Sequence, residues 1–90
     1  MTTRYRQGDK LNDMLVIDNQ GLVLTASQLL RIGPIGITVI EACAQPRTLA
    51  ELRDACVAAF GPAPGGSADD LVGDAVNALL GVGVLAEEHP

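Results

Sequence analysis

Leu29-Leu30-Arg31-Ile32-Gly33-Pro34-Ile35-Gly36 is the stretch on which the fold turns. It has the character of a short apolar strand that stops at a Gly-Pro corner and hands the chain to a helix. Pro34 has no N–H and a φ already near the helical value, which suits a first helical turn. Gly33 before it accepts the extended or left-handed backbone that a strand-to-helix corner asks for. Strand-like segments precede the corner, and helix-like segments follow it.

Upstream, Asp13-Met14-Leu15-Val16-Ile17-Asp18 is apolar and β-branched between polar ends, the pattern of a first strand. Asn19-Gln20-Gly21 carries turn chemistry, and Leu22 to Thr25 follows as an antiparallel second strand. Ala26-Ser27-Gln28 makes another tight connection, so Leu29 to Ile32 is a third strand at the edge of a meander.

Downstream, Ile37, Ile40, Cys43 and Ala44 recur at helical spacing and predict a helix from Pro34 to Ala44, ended by Gln45-Pro46-Arg47. Thr48-Leu49-Ala50-Glu51 is a capping box that opens a second helix, closed by Gly61-Pro62. Gly61 to Gly66 has the composition of a surface loop and lacks the Lys-Ser/Thr of a phosphate cradle. Ser67 caps a third helix reaching Gly81, with a broad apolar band of Leu71, Val72, Ala75, Val76, Leu79 and Leu80. Asp69 and Asp70 fall in its first turn, where the helix dipole favours negative charge. The expected organisation is a polar arm over 1–12, one domain over 13–86 and a flexible tail over 87–90. The expected fold class is α+β, a winged helix-turn-helix-like βββααα arrangement of a three-stranded antiparallel sheet and three helices.

Ninety residues allow one core, and an aromatic content of 2% makes that core aliphatic. No apolar run approaches the roughly 18–20 residues that span a bilayer. The first ten residues are polar and unlike a secretory signal, so a cytoplasmic protein with no membrane partner is expected. The net charge is −5, and no Lys or Arg follows Arg53. That balance argues against a nucleic-acid partner, whose phosphates need basic contacts.

Cys43 and Cys56 belong to no CxxC or Cys/His cluster, and His89 is the only histidine, so they are expected to be small buried hydrophobes. Ser27 and Ser67 sit in no nucleophile-elbow pattern. Asp69 and Asp70 are adjacent on a helix and point about 100° apart, poor geometry for a shared carboxylate site. No catalytic residue, metal or cofactor is expected. An apolar third helix beside an open strand edge is instead the pattern of a β-augmentation groove.

Leu22-Val23-Leu24 and then Leu29 to Ile40 resemble the "vLl…yyrLNptGaaIl" core of the PqqD-like proteins. Arg47-Thr48-Leu49-Ala50-Glu51-Leu52 is similar to their "rtveeL" second-helix start, and Ala68 to Leu85 to their "Dv..fL..L...Glv" ending. The likeness runs over residues 13–86 and lies in the joint order and spacing of short motifs. Gly33 stands where the family usually carries Asn, and the third strand lacks the family's aromatic residue.

The resemblance implies a recognition element for ribosomally made precursor peptides, without catalysis of its own. The leader of the precursor would add as a strand beside Leu29, Leu30, Arg31 and Ile32. It would lie against a helix wall that includes Leu71, Val72, Ala75, Val76 and Leu79, with Asp70 and Asp74 meeting leader Lys or Arg at the rim. Among its relatives the chain looks most like the free-standing recognition protein of lasso-peptide pathways. Its partners there would be a leader-cleaving cysteine peptidase and an ATP-dependent cyclase. A PqqD-type peptide chaperone for a radical-SAM enzyme, an acidic winged-helix regulator and a dimerisation module are the alternatives. The groove reading expects Leu30→Asp or Val76→Asp to abolish leader binding while the helices survive.

Overall fold

The computed structural model describes residues 2–61 and 67–89. Its elements run β1 (Arg4–Gln7), β2 (Asp13–Ile17), β3 (Gln20–Leu24), β4 (Leu29–Ile32), α1 (Pro34–Ala42), β5 (Arg47–Thr48), α2 (Leu49–Phe60), α3 (Ala68–Gly81) and β6 (Leu85–Glu88). The fold is mixed α+β. β2, β3 and β4 form the expected antiparallel meander, and β5, β1 and β6 form a second antiparallel sheet.

That second sheet corrects the simple βββααα order, the polar arm over 1–12 and the flexible tail over 87–90. Arg4 pairs with both Thr48 and Glu88, Tyr5 with Arg47 and Glu87, and Gln7 with Leu85. A cation directly across from an anion favours this register. The arm also satisfies the carbonyls that the end of α1 leaves open. Gln7 donates from its backbone to Cys43 O (3.2 Å) and from its side chain to Ile40 O (3.0 Å). Arg47 Nε donates to Ala42 O (3.2 Å), which places a cation at the negative end of the helix. With those carbonyls taken, α1 stops at Ala42, two residues before the predicted Ala44. Neither RYRQ nor LAEE alternates apolar with polar residues, so periodicity alone does not mark either as a strand.

In the meander the β2–β3 turn falls on Asp18 and Asn19, both with positive φ (50° and 64°), as a two-residue hairpin turn of this hand requires. Gly21, expected in the turn, lies within β3. There a Cβ would stand 2.9 Å from Ile37 Cγ1, so its absence lets α1 approach the sheet. The Gly-Pro corner forms as predicted, with Pro34 in the first turn of α1. Gly33 is extended (φ −77°, ψ 175°) with open space where a Cβ would go, so no glycine is needed there. Gly36 is the constrained one, since a Cβ would run into Ile32 Cγ2.

The capping box forms in full. Glu51 N donates to Thr48 Oγ1 (3.2 Å), and Glu51 Oε1 accepts from Thr48 N (2.9 Å). The Thr48 backbone N–H on that carboxylate holds the Glu51 pKa below its ordinary value. Ser67 is the N-cap of α3 but makes no side-chain capping bond. The predicted loop falls outside the described residues from 62 to 66.

Val23, Val39, Ile40, Cys43, Leu52, Cys56, Val72, Val76, Leu79, Val84 and Leu85 form one aliphatic core shared by β3, all three helices and the strand that closes the chain. No helix among the described residues is long and apolar enough to cross a membrane.

The two corner glycines give a test. Gly36→Ala should cost about 1–2 kcal/mol, the crowding against Ile32 outweighing the better helix propensity. Gly33→Asn should gain a few tenths of a kcal/mol by supplying a capping oxygen. Urea unfolding midpoints of the two variants read both signs.

Candidate functional site

Thr25 fixes how β4 presents its backbone. It is the one buried polar side chain among the described residues (5% exposed) and closes the β3–β4 turn. Its N–H donates to Gln28 O (2.9 Å), and its Oγ1 accepts from Gln28 N (3.0 Å). Hydrogen-bonded pairs in an antiparallel ladder recur every second residue. Counting from Thr25 and Gln28, the bonded pairs are Val23 with Leu30 and Gly21 with Ile32. The other side of β3 agrees, because Asn12 N donates to Leu24 O (2.9 Å) from the β2 side. The N–H and C=O groups of Leu29 and Arg31 therefore point away from β3. β4 ends its sheet, and among the described residues no backbone group pairs with that outer edge.

The same register sorts the side chains, since residues paired across a ladder share a face. Met14, Val23 and Leu30 lie in one row on the inner face, and Leu30 and Ile32 pack against the core. Asp13, Leu24 and Leu29 form one row of the outer face, and Leu15, Leu22 and Arg31 the next. That outer face is apolar and open, with Leu29 66% exposed and Leu15, Ile17 and Leu24 about half exposed. Arg31 is its only cation. Among the described residues Arg31 enters no ion pair.

The expected helix wall is only partly available. Val72 (1% exposed), Val76 (2%) and Leu79 (4%) belong to the core, which corrects their placement as peptide-contacting residues. α3 packs chiefly on α2, α1 and β6, and it is this packing that turns the 72–76–79 stripe inward. Leu71, Asp70 and Asp74 are exposed and Ala75 is half-buried. Strand and helix come together at the far end of α3. A cleft there, between the β3–β4 turn and the helix terminus, is lined by Lys10, Thr25, Gln28, Gly81 and Val82. Thr25 and the outer-face residues Leu15, Leu22 and Leu24 escaped the sequence reading as site residues, whereas Leu29 and Arg31 were in it. The unbroken run Leu15-Val16-Ile17 was their available signal, because a strand apolar on both faces in a small sheet leaves one face uncovered.

Neither cysteine has the setting of a nucleophile. Both are free and buried, and burial pushes the Cys43 thiol up to about 11 and raises that of Cys56. No group of three potential metal ligands occurs among the described residues. The chain matches no protein-family model, no curated protein and no solved structure.

The split within α3 is testable. Val76→Asp should unfold the domain, with a loss of several kcal/mol for a charge placed in the core. Leu71→Asp should leave the circular-dichroism spectrum and the melting temperature nearly unchanged.

Proposed function

We propose that this chain is a non-catalytic recognition element that captures the leader segment of a ribosomally made precursor peptide by strand addition to β4. The observation that carries the reading is the pair of outward-facing, unbonded backbone units at Leu29 and Arg31, on a strand whose other side is anchored to the core. Backbone hydrogen bonds along such an edge tolerate varied sequence, while the flanking side chains select a few anchors.

The meander has a second free edge at β2, and two features favour β4 over it. Met14 N already donates to Asp13 Oδ1 (2.8 Å), which occupies one of the outward N–H groups of β2. Most of β2 also stands clear of the core, with four of its five residues exposed. β4 has Leu30 and Ile32 seated inward, so a strand added beside it meets an apolar shoulder. The β6 edge of the other sheet ends in Glu87 and Glu88, charges of the kind that blunt an edge against pairing.

In this reading the resemblance to PqqD-like proteins supplies the partners, a leader-cleaving cysteine peptidase and an ATP-dependent cyclase of the lasso-peptide type, in the cytoplasm. Leu29, Leu30, Arg31 and Ile32 carry the strand pairing. The resemblance adds Leu71 and Ala75 as apolar helix contacts and Asp70 and Asp74 as partners for leader Lys or Arg, while α3 itself meets the meander at its Gly81–Val82 end.

The test separates backbone from side chain. A fluorescein-labelled leader from a short precursor gene neighbouring this one is titrated against three variants. Arg31→Pro removes an outward N–H and leaves the bonds to β3 in place, so binding should weaken about tenfold or more. Arg31→Ala, which keeps that N–H, should weaken it only a few-fold. Val16→Pro, on the β2 edge, should leave it unchanged. A leader that binds Arg31→Pro as tightly as the parent protein overturns the proposal.

A further inference from the structure

The edge geometry also dictates which side chains a guest strand must carry. Leu29 and Arg31 offer the outward backbone groups, and their side chains lie on the outer face. A guest residue paired with either one places its own side chain on that face, directly across from its partner's side chain. The pair Leu24–Leu29 is apolar and ends in the most exposed large hydrophobic residue among the described ones. The row Leu15–Leu22 ends in Arg31, a cation without an ion-pair partner among the described residues.

We infer that the guest strand carries an acidic side chain opposite Arg31 and an apolar one opposite Leu29, two residues apart, with an apolar residue between them turned inward opposite Leu30. This rests on the strand-addition reading and names the class of peptide that fits it. The spacing of two holds for either strand direction, because both pairings keep the alternation of faces. In the antiparallel sense the order from the amino end is acidic, inward apolar, outward apolar.

Two charges bear on the acidic position. Asp18 shares a cleft with Arg31, lined also by Ile17, Gln20 and Leu22, yet does not come within ion-pair distance of it. The guanidinium keeps its valence for a guest. The net charge of −5 repels an acidic peptide at long range. At physiological salt that repulsion is screened beyond about 8 Å, while a directly opposed pair lies well inside that distance.

The probe is acetyl-Ser-Thr-Glu-Val-Ile-Thr-Ser-amide, compared with its counterpart carrying Lys in place of Glu, each titrated into the isotope-labelled full chain and followed by amide chemical shifts. The Glu peptide should bind about fivefold more tightly, with the largest shifts at the Leu29 and Arg31 amides. Arg31→Glu should reverse the preference, the Lys peptide now binding more tightly. Equal affinity of both peptides at those amides, or a preference that Arg31→Glu does not reverse, overturns the acidic pattern and leaves strand addition standing. Failure of both peptides to shift the β4 amides, or shifts centred on Val16 of β2, overturns both readings.

Discussion

Two missing Cβ atoms let the first helix lie against the meander, and the rest of the domain follows from that contact. Gly21 makes room for Ile37, and Gly36 for Ile32. With α1 held close, Val39 and Ile40 reach Val23 and the helices behind it, and the aliphatic core closes without aromatic residues. A core built from such small units depends on short distances, because dispersion contacts fade quickly with a gap of even half an ångström. The glycines are therefore packing residues here, and only secondarily conformational ones.

The second sheet solves a different problem at the other end of α1. A helix leaves its last carbonyls without partners, and burying that end needs donors from elsewhere. Gln7 and Arg47 bring them from β1 and β5, and β6 completes the sheet with Glu88 across from Arg4. The consequence reaches α3. Its buried stripe of Val72, Val76 and Leu79 is held inward between the neighbouring helices and β6, and it is unavailable to any outside chain.

What is left open is the meander. Its inner face is anchored, and its outer face and the β4 edge are not covered by any described part of the chain. A functional proposal placed at β4 thus rests on backbone geometry set by the Thr25–Gln28 turn more than on a helix groove. Of the expected strand-and-helix groove the strand remains, with Leu29 and Arg31 on its outer face, and the middle of α3 drops out.

Local chemistry was enough for much of this. The strand-to-helix corner at Pro34, the Thr48–Glu51 capping box, the three meander strands and the third helix each depend on residues within a few positions of one another, so the sequence alone determined them. It also marked Leu29 to Ile32 as an edge strand, because the segment is short, apolar and followed at once by a helix. Tertiary structure decided the remainder. The pairing of RYRQ with LAEE joins residues 78 to 84 positions apart through bonds that any side chain can accompany, and no local pattern announces it. Which flank of α3 is buried depended on where α1, α2 and β6 came to rest, since a broad apolar band offers more than one face to pack. And the amides that β4 presents outward follow from the Thr25–Gln28 turn, through an alternation that counts hydrogen bonds and not residue types.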